Sequence, residues 1–268
     1  MTLKSLLAVV MCSAALVGCG SGSDGGPSVK YYSLDGFEGR SVGTTSIEGT
    51  WVMVGSTELN ASSSASQEAN GKEAFKEMFV IFEYEGSFFK LNCDGSYYSY
   101  VSISGNSANF SGITGSLTNN KQFNGSFSDQ GYESGVSYSL QGQVEAIKIS
   151  DSTNPIASLT ISNSNGESDF ENLGCIAFSN GYASGGGRTQ EFEVILTDNI
   201  DIERHKGEEN YTAIYNDIAG FYDYDTDYGD LVEFSIDDLS ETSHVISFEA
   251  SDSFRSMSGT INVNLPLQ

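Results

Sequence analysis

The sequence predicts an all-β protein, an antiparallel β-barrel or a β-sandwich, with additional C-terminal strands. Three observations predict it. Apolar and aromatic residues come in many short runs of strand length. Asn-Gly and Asp-Gly pairs recur between the runs, and both residues of such pairs tolerate the positive φ of a tight turn. Val136-Ser-Tyr-Ser-Leu-Gln-Gly-Gln-Val144 alternates apolar and polar residues, the pattern of a strand with one buried face.

Taken in order, Thr50–Val54 is the first strand core and Met78–Tyr84 the second. Glu85-Gly86-Ser87 turns the chain into Phe88–Cys93. Asp94-Gly95 predicts a two-residue hairpin leading to Tyr97–Ile103. Further strands are expected at Asn109–Ile113, Gln122–Ser128, Val136–Ser150, Ile156–Ser162, Gly174–Ser179 and Glu191–Thr197. Asn-Gly turns are expected at Asn165-Gly166 and Asn180-Gly181, while Asn124-Gly125 is placed either in a turn or inside a strand. Two stretches break the pattern. Asn60–Gly71 is poor in apolar residues and reads as a long loop, with a helical turn at Lys72–Met78. Ile200–Asn216 is charged and reads as a short helix. A faint repeat relates Ile47–Trp51 to Ile218–Tyr222, and Phe110–Thr118 to Phe254–Asn262.

Charge excludes whole classes of function. Among 268 residues, 36 acids face 12 bases, a net charge of −24. Nucleic-acid binding needs clustered Lys and Arg to neutralise phosphates, so it is excluded. A basic face lying on an anionic membrane is excluded on the same ground. The acidity reads first as a solvated surface; cation binding, a basic partner or a salty habitat are the sharper alternatives.

The N-terminus reads as an address. Lys4 supplies a positive start, and Leu6–Val17 is apolar but too short to span a bilayer. It ends Leu16-Val17-Gly18-Cys19, which resembles the lipobox of bacterial lipoproteins. The resemblance implies cleavage before Cys19, a lipid on its sulfur and an acylated new amine. Several acyl chains give a stable membrane anchor with no transmembrane helix. Gly20–Ser28 is a Gly/Ser tether. In lipoproteins of this kind an Asp after the lipidated Cys signals inner-membrane retention; here that residue is Gly20, which points to the outer membrane.

The expected organisation is therefore a signal peptide at 1–18, a tether with lipidated Cys19 at 19–29 and a barrel-like domain at 30–180. Residues 181–268 form an additional β region, a smaller domain or a part of the same sheet system. Cys12 leaves with the signal peptide, so Cys93 and Cys175 remain in a compartment that permits disulfides. A bridge between them closes a loop of 82 residues (175 − 93). In the chain-entropy model that is worth about 4 kcal/mol. A reactive thiol is the alternative.

Gly49-Thr50-Trp51 resembles the G-x-W motif that opens lipocalins and other calycins. There the Trp packs across the closed end of a barrel and the Gly lets the strand bend. The resemblance covers Ile47–Phe178 and implies a barrel with an apolar cavity, a long first loop over its mouth and a bridge between a middle Cys and a late one. A late Arg that packs on the Trp has no evident counterpart in the sequence.

For chemistry, Asp223, Asp225, Asp227 and Asp230 form the sharpest cluster. Alternate acids in an extended chain point the same way and suit Ca²⁺. Tyr228 stands where an EF-hand loop has Gly, and Phe234 where it has Glu, so a solvated acidic hairpin is the competing reading. His205 and His244 show no metal spacing. No G-x-S-x-G elbow or phosphate loop occurs; Ser184–Arg188 reads as a linker. The aromatic runs, Tyr97-Tyr98, Tyr100 and Phe88-Phe89 among them, serve either as core faces or as a stacking platform for sugars or lipids. The reading is a non-enzymatic, envelope-anchored lipoprotein of the outer membrane. Its β domain is expected to bind an apolar small molecule or lipid. The alternative is an interaction lipoprotein whose partner is another envelope protein.

Overall fold

The computed structural model describes residues 29–63, 68–92, 98–133, 136–154, 156–163, 166–183, 188–197, 200–207, 211–216, 224–225, 245–251 and 256–263. Among these there are seventeen strands and no helix. The protein is all-β, with a closed barrel and extra strands outside it.

The barrel is formed by β1 (Gly49–Ser63), β2 (Glu68–Tyr84), β3 (Ser87–Leu91), β4 (Tyr98–Ser104), β5 (Ser107–Phe110), β6 (Ile113–Thr118), β7 (Gln122–Glu133) and β8 (Val136–Ser150). Consecutive strands pair antiparallel, and β1 pairs with both β8 and β2, which closes the ring. Closure removes the unpaired edges that an open sheet leaves.

β2 explains how the barrel joins the rest of the molecule. β1 lies along one edge, from Gly49↔Ile81 to Ser62↔Glu68. The other edge is shared. β3 takes Ile81–Tyr84, and β11 (Cys175–Ala183) takes Gly71–Phe79. The sheet is thus closed at one end of β2 and open at the other. From β11 it continues through β12 (Arg188–Thr197), β13 (Ile200–Gly207), β14 (Tyr211–Asn216) and β15 (Tyr224–Asp225). A second sheet has the order β10-β9-β17-β16, from β9 (Ala157–Asn163), β10 (Gly166–Leu173), β16 (Val245–Ser251) and β17 (Ser256–Val263). Residue 180 therefore falls inside β11, and strands from both sides of it share both sheets.

Strand alternation sorts the barrel residues. Trp51, Met53, Phe79, Ile81, Val101, Ala108, Phe110, Ile113, Leu117, Phe123, Phe127, Leu140, Val144 and Ala146 point inward into one core. β1 and β2 are also buried on their outer faces, through Val52, Val54, Met78 and Val80. The segment before β1 crosses this outer side. Lys30 exchanges two hydrogen bonds with Asn180 of β11, its N–H donating at 2.8 Å and its carbonyl accepting at 2.7 Å. The buried Phe37 ring lies 4.6 Å below the Lys76 ammonium.

The Gly49-Thr50-Trp51 motif behaves as a barrel closure. Gly49 has φ +132°, and a Cβ there would collide with the Ser150 carbonyl oxygen. Trp51 is fully buried, and its indole N–H donates to the Ile47 carbonyl at 2.8 Å. Its register partner on β8 is Lys148, next to a bulge at Thr50/Trp51. The buried Lys148 ammonium donates to the Ser46 carbonyl at 3.0 Å and pairs with Asp151 at 2.6 Å. Lys148 thus stands beside the tryptophan where the sequence offered no Arg.

Several expectations are corrected. The described parts of Asn60–Gly71 are strand, not loop: Asn60 pairs with Asn70 and Ala61 with Ala69, and β8 flanks β1 on its other side. Ladder bonds from both neighbours outweigh the weak strand propensity of Ser and Asn. Lys72–Met78 is strand, not helix. Ala74, Lys76 and Met78 are buried on one face and Glu77 and Phe79 on the other, so burial on both faces hides the period-two signal. The Asp94-Gly95 turn lies outside the described residues, between the paired Leu91 and Tyr98. Asn109–Ile113 is a hairpin corner, with Ser111 and Gly112 at positive φ between β5 and β6. Asn180-Gly181 lies inside β11 beside a bulge, and Asn124-Gly125 takes the second of its two readings, inside β7. The described parts of Ile200–Asn216 are the antiparallel strands β13 and β14, in which Ile202 pairs with Ile214, and not a helix. Of the Asn165-Gly166 pair, Asn165 lies outside the described residues and Gly166 is the first residue of β10, paired with Asn163. In the proposed repeat, Phe110–Thr118 folds as a hairpin whereas Ser256–Val263 is a single strand.

Candidate functional site

The barrel interior is packed with rings. Trp51 meets Phe110 edge-on at 5.6 Å between centroids, and Phe110 stacks on Phe123 at 4.3 Å with planes 6° apart. These contacts follow from register: alternate inward positions of β1, β5 and β7 project into one volume. An apolar guest in this part of the barrel would have to displace fully buried aromatic side chains.

A polar cluster shares the interior. Glu77 of β2 and Lys90 of β3 form a buried ion pair. The Lys90 ammonium also donates to Asn92 Oδ1 at 3.3 Å and lies 4.6 Å above the Phe79 ring. Ser99 donates to the same Asn92 oxygen at 3.0 Å and touches Ser111 hydroxyl to hydroxyl. The lysine charge is thus met by a carboxylate, an amide oxygen and a ring face. This is what a buried charge requires.

Outside, a shallow groove of about 570 Å³ lies over β7, β8, β1 and β2. Tyr31, Ser56, Glu58, Lys72, Ser126, Ser128, Gln141 and Gln143 line it, with Thr57, Phe127 and Gly142 at its floor. Glu58 is its centre. Lys72 approaches it at 3.8 Å, and the Gln141 amide donates to it at 3.5 Å. These groups are exposed and loosely held, so the groove has the chemistry of a polar contact surface, with no activated nucleophile among its lining residues.

A second external feature lies on β2, β3 and β4. Phe82 stacks on Phe89 at 5.7 Å; Tyr98 and Tyr100 meet Phe89 edge-on at 5.2 and 5.9 Å. The register Phe82↔Phe89↔Tyr100 puts the rings on the outer face. Tyr98 is 53% and Tyr100 58% exposed.

Of the residues singled out in the sequence, Cys175 begins β11 and is buried against the barrel core. Asp225 lies in β15, paired with Ala213, and His205 lies in β13. Cys19, Cys93, Asp223, Asp227, Asp230 and His244 lie outside the described residues, as do the signal peptide and the tether. Among the described residues no three His, Cys, Asp or Glu side chains group as a metal site. The buried Glu77–Lys90 pair and Lys148 were missed by sequence reading. Their signal was present, as a lone charge at an inward position of a strand, but it is visible once register is known. No protein-family model and no curated protein matches the chain.

Proposed function

We propose that the chain is a lipid-anchored protein of the bacterial outer membrane whose barrel is an interaction module working through its outer wall. The observation that carries this reading is the division of aromatic residues. Trp51, Phe110 and Phe123 fill the interior, while Tyr98 and Tyr100 stand exposed outside. A carrier of apolar molecules keeps its inside free and uses it; this barrel offers its outside. The Gly49-Thr50-Trp51 corner with Lys148 beside Trp51 supports a calycin-like descent of the barrel. Lipidation of Cys19 and the Gly/Ser tether supply the anchor and the reach. The Asp223–Asp230 acids remain a proposed Ca²⁺ loop on the sequence alone.

Two measurements test the reading. Replacement of Cys19→Ser is expected to leave unlipidated precursor, seen as lost lipid label and release from the membrane fraction; normal labelling would remove the anchor. Protein purified from its native envelope is expected to carry no stoichiometric apolar compound by mass spectrometry. A bound lipid released by Trp51→Ala would restore the carrier function and end the interaction reading.

A further inference from the structure

We propose that the outer wall formed by β3–β7 binds a neutral polysaccharide, with Phe89, Tyr98 and Tyr100, and Phe82 of the adjoining β2, as its stacking platform. This rests on the interaction-module reading and names the class of the partner.

The first argument is charge. The protein carries 36 acids, yet none lies at an outward position of these strands. Outward on β3 and β4 are Ser87, Phe89, Leu91, Tyr98, Tyr100, Ser102 and Ser104. On β5 and β6 they are Ser107, Asn109, Thr114, Ser116 and Thr118. On β7 the exposed residues are Gln122, Asn124, Ser126, Ser128, Gln130 and Tyr132. A wall without charge in a chain of net charge −24 is neither a solubilising face nor a docking face for an ionic partner. Nucleic acids, acidic glycans and anionic lipid surfaces are repelled by the remainder of the molecule.

The second argument is geometry. A pyranose ring has an apolar C–H face and an edge of hydroxyls. The platform meets the first need, because the Phe82–Phe89 stack and two edge-on tyrosines hold the rings against one another. Rings held this way lose little freedom on binding. The second need is met directly beside it. Ser102 follows Tyr100 by two residues on β4, and the register Ser102↔Asn109↔Thr114 lays a serine, an amide and a threonine in one row across β4, β5 and β6. The Asn109 amide already donates to the Thr114 hydroxyl at 2.9 Å, which sets both for contact with a third group. Neighbouring strands are about 4.8 Å apart, close to the advance of one sugar unit in an extended chain. A protein partner would bury such rings inside an apolar contact core; here they are bordered by hydroxyls and amides that need hydrogen-bonding partners when covered.

The test is affinity electrophoresis of the full chain, solubilised in a polyoxyethylene detergent, through native gels containing dextran, mixed-linkage β-glucan, xylan or galactomannan, with alginate as the anionic control. Retardation by at least one neutral polymer and none by alginate is expected, unchanged by added salt. The double variant Tyr98→Ala/Tyr100→Ala is expected to bind about tenfold more weakly or worse. Fluorescence of the buried Trp51 reports whether the variant is folded. Should it unfold, Ser102→Glu places a charge on the exposed wall without touching the core and is expected to give the same loss. Absence of retardation in every neutral gel overturns the proposal. So does retardation that survives these variants but is lost in Gln141→Ala/Gln143→Ala. A photo-crosslinker at Ser102 that captures a protein in the intact envelope, or a second copy of the chain, overturns the glycan assignment while the interaction module stands.

Discussion

The Lys148 ammonium lies 2.6 Å from the Asp151 carboxylate, three residues along the chain, and bridges the last barrel strand to the segment that enters the first. The lysine side chain is 2% exposed and the aspartate 59%. Asp151 also accepts the Gly43 N–H at 2.8 Å, while Lys148 donates to the Ser46 carbonyl. The pair ties the entry segment across the barrel end that Trp51 plugs. A buried cation here has a wet partner, so the bridge anchors the segment without desolvating two charges.

Acid is expected to loosen this end first. The Lys148 hydrogen bond, then the Gly43 N–H, hold the Asp151 carboxyl below its ordinary value. A lowered carboxyl adds stability above the unfolded value, near pH 3.9, and that stability is lost as pH falls through the folded value. Asp151→Asn is therefore expected to cost about 0.5–1 kcal/mol at neutral pH, a small figure because the carboxylate is exposed and screened. The difference from wild type should shrink toward zero in acid. Urea titrations at neutral pH and in acid measure this, and a difference equal at both would refute it.

Breaking the interior ion pair is expected to be costlier. Glu77→Gln leaves the Lys90 charge buried with an amide oxygen and a ring face for company. A loss of about 3–5 kcal/mol follows. Glu77→Gln combined with Lys90→Met removes both charges and is expected to recover much of it. A double-mutant cycle in urea reads the coupling, and additive losses would show that the pair does not interact.

Close strand approach is expected to forbid a methyl group at Gly115. This residue faces Gly125 across β6 and β7, and a Cβ on it would stand 2.5 Å from the Gly125 Cα and closer still to the Asn124 carbonyl oxygen. These are backbone atoms and cannot turn aside, so Gly115→Ala is expected to cost about 1–3 kcal/mol. Gly105 has φ +60° and open space around its missing Cβ. Asn tolerates that conformation, so Gly105→Asn is expected to cost about 0.5 kcal/mol. Equal melting temperatures for the two variants would contradict the packing at Gly115.

A bridge between Cys93 and Cys175 is expected from mass spectrometry of the unreduced protein. A Cβ on Gly174 would run into the Leu91 side chain, so the start of β11 and the end of β3 are neighbours; Cys175 follows Gly174 directly, and Cys93 is two residues beyond Leu91 in the sequence. Reduction is expected to lower stability by up to about 4 kcal/mol, less any strain relieved. Two free thiols in the unreduced protein would end this expectation.

The strands with one wet face were legible from the sequence. β8 has the expected bounds, Val136–Ser150, and alternation is visible over Val136–Val144, where every second side chain meets water. β2 was misread at Lys72–Met78 because both its faces are covered, which erases the alternation. β1 beyond Leu59 was misread as a loop because its polar residues are stabilised by two neighbouring strands and not by their own burial. The candidate site divides the same way. The aromatic runs of β3 and β4 were visible as residues, but which rings enter the core and which form the platform depends on register.

The sequence by itself determined the class of fold, the bend at Gly49-Thr50-Trp51 and the net acidity of the chain. All of these rest on local backbone preference, alternation or summed charge, which need no partner strand. Tertiary structure alone decided that β1 closes on β2 and β8, that β2 shares one edge between β3 and β11, that Glu77 finds Lys90 and that the outer wall of β3–β7 is free of charge. Each of these depends on which strands lie side by side and in what register, and a shift of one residue would exchange the two faces of every strand.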